Sequence, residues 1–253
     1  MRIVLCEPQE PGNIGSVARA MKTMGLSDLV LVAPTEPWLT EVAHGMAHSS
    51  QRLLHAAKVF PNLAAAVADC ALVIGTTTRR RHRDLRFLDP EEAVALALSI
   101  SATAPVALVF GNERTGLTNE QLEMCHHVSR VPLAVHQPSL NLAQCVMVFA
   151  YVWRRAQTAE NLPRPRGRVI PGAPTPAAAA SLARSESLER MFASLDEAID
   201  SLAFPANVGK RVRLSLRNLL LRSFLKEREV NLFHTIAAQI KHRAATPPPR
   251  RPS

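Results

Sequence analysis

Short apolar runs alternate with helical patterns along the first 155 residues. The runs are RIVLC (2–6), DLVLVA (28–33), ALVIG (71–75), VALVF (106–110) and HVSRV (127–131). Most are continuous in Val, Leu and Ile rather than alternating with polar residues, the pattern of strands buried on both faces. Between the first two runs, Val17, Ala20, Met21 and Met24 fall at i, i+3, i+4 and i+7. That spacing predicts a helix, with Asn13 as its N-cap and Gly25 as its stop. Strands separated by helices predict an α/β fold, a parallel sheet with helices on both faces.

Residues 139–156 (SLNLAQCVMVFAYVWRRA) form a different kind of helix. Leu142, Val146, Phe149 and Trp153 mark one apolar stripe, and Cys145, Val148 and Val152 a second. A helix apolar nearly all round needs cover on all sides, either from the sheet and a neighbouring element or from a second subunit, and this suggests a homodimer. Ala93 to Asn112 carries no charge. Ser99, Ser101, Thr103 and Pro105 divide it into a helix end, a turn and a strand, so it reads as core and not as a membrane span.

After residue 156 the pattern changes. Residues 157–180 contain five prolines and few large apolar side chains, the composition of a linker. Helical segments follow at about 181–203, 207–226 and 229–244, and TPPPRRPS closes the chain as a disordered tail. The predicted domains are 1–156, a linker 157–180, a helical extension 181–245 and the tail 246–253. In the middle helix Lys210, Arg213 and Arg217 share one stripe, and Val212, Leu216 and Leu219 another.

Charge separates the same two parts. Residues 1–150 hold 12 basic and 13 acidic side chains, while residues 151–253 hold 18 and 8. A neutral domain with a basic appendage calls for a polyanion. The four cysteines, Cys6, Cys70, Cys125 and Cys145, form no CxxC pair. They predict reduced thiols in a cytosolic protein rather than a zinc site or disulfides. The N-terminal apolar run is too short for a signal peptide, and the nine histidines show no ligand spacing, so no metal is expected.

Three stretches carry candidate chemistry. The first, Gly12-Asn13-Ile14-Gly15-Ser16, follows a strand as a nucleotide loop does. It lacks the third glycine of the dinucleotide fingerprint, and the second strand ends in Val32-Ala33-Pro34 with no acid. A phosphate-loop lysine is also missing. The second, VALVFGNERTGLTNEQL (106–122), runs a strand directly into Gly111, where a ligand can approach the backbone. The third, PSLNLAQ (138–144), opens the apolar helix, with Ser139 as its expected cap and Asn141 in its first turn.

In this order, N-x-G-S-x-x-R (13–19), F-G-N-E-x-x-G-L (110–117) and S-L-N-L-A (139–143) resemble the three motifs of the SPOUT RNA 2′-O-ribose methyltransferases, in their TrmH-like branch. The resemblance spans residues 2–156. GSVARAMKTMGL, PVALVFGNERTGLTNEQL and the basic extension look most like the bacterial enzymes that methylate cytidine or uridine at position 32 of tRNA, in the anticodon loop. The resemblance implies a C-terminal trefoil knot in the sheet domain and an active site formed across a homodimer. It implies S-adenosylmethionine bound at Thr76, Thr77, Thr78, Gly111, Val131, Pro138, Ser139 and Leu140. It makes Arg19 the catalytic arginine, with Asn13, Glu113, Ser139 and Asn141 orienting the ribose and shaping the loops. Close relatives usually carry serine where this chain has Pro138, which has no N–H to donate. The cluster Arg79-Arg80-Arg81-His82-Arg83 and the stripe Lys210, Arg213, Arg217 are the expected RNA contacts.

Arginine keeps its proton in proteins, so Arg19 is expected to bind the target phosphate and stabilise the developing alkoxide rather than act as a base. Three alternatives stay open at this point. They are a 2′-O-methyltransferase for another tRNA site or for ribosomal RNA, an RNA-binding relative without turnover, and a nucleotide-dependent oxidoreductase on a Rossmann sheet.

Overall fold

Alternate residues of the strands part to opposite sides. Ile3, Leu5, Leu29, Leu31, Leu72, Ile74, Leu108 and Phe110 belong to one core, and Val4, Cys6, Val30, Val32, Val73, Ala107 and Val109 to another. The sheet between them is apolar on both faces, as the continuous runs require. The computed structural model describes residues 1–78, 87–134, 139–158, 174 and 176–245. Among these, seven strands build one sheet: β1 (Arg2–Cys6), β2 (Asp28–Val32), β3 (Lys58–Phe60), β4 (Leu72–Thr76), β5 (Phe87–Leu88), β6 (Val106–Phe110) and β7 (His127–Ser129). Their order is β3-β2-β1-β6-β4-β7-β5, and every pair is parallel. The five expected strands form its centre, and the two that the apolar pattern missed, β3 and β5, are its edges.

The helices are α1 (Pro11–Thr23), α2 (Glu41–Ala47), α3 (Gln51–His55), α4 (Leu63–Val67), α5 (Pro90–Ser101), α6 (Asn119–Glu123), α7 (Leu142–Thr158), α8 (Pro176–Ala179), α9 (Ser185–Ser201), α10 (Ala206–Leu221) and α11 (Glu227–Ala245). Buried residues of α1, α5 and α7 fill the first core, and those of α4 and α6 the second. The uncharged stretch 93–112 divides into α5 and β6.

Helix α1 starts earlier than expected. Pro11 opens it behind Glu10, a position where the missing N–H costs nothing. Asn13 is therefore inside the first turn and is not the cap. Gly12 and Gly15 belong to the helix rather than to a phosphate-holding loop. Gly15 serves packing: a Cβ there would lie 2.1 Å from the Ala43 carbonyl oxygen. The α2 backbone thus sits directly on α1. Gly15→Ala is expected to lower stability by about 1–3 kcal/mol through overpacking, read as a drop in Tm. An unchanged Tm would show that the two helices part freely.

The C-terminal end of the expected linker and the start of the extension pack on the sheet domain. Ala179 and Leu182 join the first core, because alanines bury well without marking the sequence as strongly apolar. Helices α9, α10 and α11 enclose a third core of Leu188, Met191, Phe192, Leu195, Leu220, Leu221, Val230 and Ala237. This unit is tied to the sheet domain through backbone groups. The Ser185 amide and hydroxyl donate to the Cys70 carbonyl at 2.9 and 3.0 Å, and the Glu186 amide to that of Ala68 at 3.1 Å. No helix among the described residues is long and apolar enough to cross a membrane.

Candidate active site

Parallel strands place their carboxyl ends together, and the crevice beyond those ends is where open α/β sheets hold ligands. Here a cavity of about 440 Å³ opens beyond β4, β6 and β7, within the size range of small-ligand sites. Thr76, Thr77, Thr78, Gly111, Val131, Ser139 and Leu140 all line it. Pro138 falls outside the described residues. Phe110 and Phe149 also line the cavity and meet edge-on, their centroids 5.8 Å apart. Leu142, Cys145 and Leu133 extend the apolar lining.

Gly111 makes this wall possible. A Cβ on it would lie 2.1 Å from both the Gly116 carbonyl carbon and the Leu117 nitrogen. The chain folds back in a tight turn bridged between Asn112 and Gly116, with Gly116 at φ +68°. The buried Asn112 side chain holds the turn from inside. Its Oδ1 accepts from the Arg114 and Thr115 amides at 2.9 and 3.3 Å, and its Nδ2 donates to the Glu7 carbonyl at 2.9 Å.

The three motifs meet through side chains beside this cavity. Glu113, on its wall, accepts from the Gln9 and Glu10 amides at 3.0 and 3.3 Å and from Asn13 Nδ2 at 3.0 Å. It therefore supplies from a distant segment the negative charge that the positive N-terminal end of α1 favours. Asn141 Nδ2 donates to Asn13 Oδ1 at 2.9 Å. Asn141 also caps α7: its Oδ1 accepts from the Ala143 amide at 2.9 Å, and Gln144 Oε1 accepts from the Asn141 amide at 3.3 Å. The cap is thus Asn141, two residues after the expected Ser139. One hydrogen-bonded chain, Asn141–Asn13–Glu113, joins residues far apart in sequence.

Arg19 is not brought to this chain's own cavity. It is exposed on α1, six residues beyond Asn13 and so about 9 Å further along the helix. The buried face of α7 (Leu142, Val146, Phe149, Ala150, Val152, Trp153) is covered within the chain. Tyr151 on its other side is 53% exposed.

The expected RNA-contacting residues divide into three groups. Arg79, Arg80, Arg81 and Arg83 lie outside the described residues. Lys210 is exposed. Arg213 and Arg217 are each paired with an acid of the same chain, Arg213 at the surface and Arg217 largely enclosed. Arg213 pairs with Asp200 at 2.6 Å. Arg217 pairs with Glu189, lies 4.5 Å over the Phe192 ring and donates to the Glu123 carbonyl at 2.8 Å. Arg217 thereby joins α10 to α9 and to α6 of the sheet domain. The acids that hold these arginines are on α9, and helical spacing within α10 gives no sign of them.

Burial pushes the His126 pKa down to about 3, so its ring is neutral at physiological pH, with Nδ1 accepting from the Val73 amide at 3.1 Å. Burial pushes the Cys145 thiol up to about 11, so it stays protonated at neutral pH. All four cysteines are free. Among the described residues, no group of three His, Cys, Asp or Glu is placed to hold a metal. The cavity also takes in residues that the motifs did not single out: Arg114 at a variable position of the second motif, Cys145 one turn beyond Asn141 on α7, and Ser129 and Leu133 in and after β7, outside all three motifs.

The profile of the SpoU rRNA Methylase family matches residues 1–151. The chain is 38% identical over 245 residues to the tRNA (cytidine/uridine-2′-O-)-methyltransferase TrmJ of Escherichia coli strain K12, covering 95% of both chains. It is 36% identical over 253 residues to the protein of that name from Sodalis glossinidius, covering 98% of this chain and 95% of the relative. Among solved structures, TrmJ from Z. mobilis ZM4 superposes with a TM-score of 0.77 at 32% identity, over 95% of this chain and 98% of the other.

Proposed function

The chain belongs to the SpoU methylase family, and from that premise we propose that it is a tRNA 2′-O-methyltransferase. It uses S-adenosylmethionine to methylate the ribose of the cytidine or uridine at position 32, in the anticodon loop. The observation that carries this reading is the Asn141–Asn13–Glu113 chain on the rim of a cavity lined by every described residue expected to hold the cofactor. The similarity to relatives named for tRNA covers the helical extension as well as the sheet domain, which favours tRNA over ribosomal RNA.

The cavity suits the cofactor on its own terms. Phe110, Phe149 and Leu142 offer an apolar floor, and at Gly111 the backbone itself is the wall, with no room for a side chain. When bound, S-adenosylmethionine supplies a methyl group already activated on its sulfonium. The chain's own residues must align the ribose hydroxyl with that methyl and help its proton leave. Asn13 and Asn141, fixed by each other and by Glu113, position the loops that receive the ribose. Arg19 binds the target phosphate and stabilises the developing alkoxide.

The reading includes a trefoil knot in the C-terminal part of the sheet domain and a homodimer in which Arg19 completes the site of the other subunit. Two features support that assembly: Arg19 is exposed and remote from its own cavity, and Tyr151 stands uncovered on α7. The extension contributes further RNA contacts, Lys210 among them, and the enzyme works in the cytoplasm.

The test is methyl transfer from labelled S-adenosylmethionine to unmodified bulk tRNA, with the product mapped by nuclease digestion and mass spectrometry. The expected product is a 2′-O-methylated pyrimidine at position 32. Methylation at another tRNA position or in ribosomal RNA would keep the chemistry and move the target. Bound cofactor without transfer to any RNA would overturn the enzyme reading.

A further inference from the structure

The cavity wall carries one basic side chain among the described residues, Arg114. Its neighbour Glu113 turns its carboxylate toward the start of α1, where it accepts from Gln9, Glu10 and Asn13, and forms no ion pair with Arg114. The Arg114 backbone is held firmly. Its amide donates to Asn112 Oδ1 at 2.9 Å, within the turn that the Asn112–Gly116 bridge closes. The side chain is exposed and meets no acid or carbonyl among the described residues. Arg2, Arg213 and Arg217, by contrast, are each paired with carboxylates. An unpaired guanidinium carried on a braced backbone at the mouth of a ligand cavity is poised for an anion, which its planar fork can grip through two hydrogen bonds.

On the proposed function, two anions come near this wall: the carboxylate of the cofactor and the phosphates of the RNA. The cofactor's sulfonium and ammonium would face a third positive charge close by, which is unfavourable in a partly enclosed site. The RNA has a stricter requirement. The 2′-oxygen and the 3′-oxygen sit on adjacent ribose carbons. Any pose that brings the 2′-hydroxyl into the cavity mouth therefore carries the 3′-phosphodiester with it. We propose that Arg114 grips the phosphodiester on the 3′ side of the target ribose, so that one braced turn both walls the cofactor cavity and registers the RNA against it.

This inference rests on the proposed function, and its test separates the two. Arg114→Ala and Arg114→Lys would be compared with the unaltered protein for S-adenosylhomocysteine affinity by calorimetry, for kcat and KM with tRNA, and for tRNA affinity across a salt series. Deleting one cation that neutralises a phosphate lowers the slope of log affinity against log salt by about 1. Arg114→Ala is expected to keep S-adenosylhomocysteine affinity within about twofold, to raise the KM for tRNA about tenfold and to reduce that slope. Arg114→Lys should restore the slope and only part of kcat/KM, because lysine offers a point charge without the fork. An unchanged slope, with S-adenosylhomocysteine affinity reduced instead, would overturn the proposal in favour of the cofactor carboxylate. Should the unaltered protein bind tRNA without methylating it, the enzyme reading fails, while the salt slopes of the variants still decide the role of Arg114.

Discussion

Arg19→Ala is expected to abolish methyl transfer while S-adenosylmethionine still binds. Arg19 is exposed on α1 and makes no side-chain bond to any described residue, so its removal deletes nothing that holds the chain together. Surface changes of that kind shift stability by roughly 0.5 kcal/mol or less, and the Tm should hold. The residue is also absent from the cavity lining, so S-adenosylhomocysteine affinity measured by calorimetry should be unchanged. The loss should fall on the chemical step. Removing one preorganised group that stabilises developing negative charge costs about 10²–10³ in kcat, and the missing grip on the target phosphate adds to it. Arg19→Lys keeps the charge without the fork and should recover only part of the rate. Near-normal turnover by Arg19→Ala would remove the arginine from the mechanism. A fall in cofactor affinity would instead give the arginine a part in holding the cofactor.

What the sequence revealed, and what it hid, follows from where each interaction is decided. The central strands β1, β2, β4 and β6 are apolar over most of their length because both faces are covered, and local composition reports that directly. Edge strands are different. In β3, Lys58 and Val59 are exposed, so no apolar run forms, and β5 has two residues. The helix starts show a second limit. Asn13 looks like a cap by type and position. The carboxylate at the start of α1 belongs to Glu113, roughly 100 residues away, and no local rule finds it. The arginines of α10 show a third. Spacing correctly tells which residues share a face but not what meets it, and on α9 Asp200 pairs Arg213 at the surface while Glu189 makes Arg217 a brace between helices. The cavity was the most legible part, because much of its wall is the second motif and the start of the third. The bond from Asn141 to Asn13 was not, since it depends on how two helix starts are set side by side.

Gly111→Ala is expected to destroy cofactor binding and to destabilise the sheet domain, whereas Gly116→Ala is expected to do far less. The two glycines face each other across the same turn for different reasons. At Gly111 the obstacle is space: the new carbon would sit 2.1 Å from the Gly116 carbonyl carbon and from the Leu117 nitrogen, and 2.7 Å from the Gly116 oxygen. Those are backbone atoms, held by the Asn112–Gly116 bridge and by the bond from Asn112 to Glu7, so no side chain can rotate out of the way. The turn must open. Opening it displaces the cavity wall and draws Glu113 away from the Gln9 and Glu10 amides. A stability loss of about 1–3 kcal/mol or somewhat more is expected from the overpacking alone, together with loss of measurable S-adenosylhomocysteine binding. At Gly116 the obstacle is conformation: nothing lies within 4 Å of a Cβ there, but φ is +68°. Alanine at such an angle costs about 1–2 kcal/mol and leaves the wall where it is, so cofactor affinity should persist. Thermal melting and calorimetry on the two variants check both halves. Equal cofactor affinity in Gly111→Ala and the unaltered protein would mean that this turn does not shape the site.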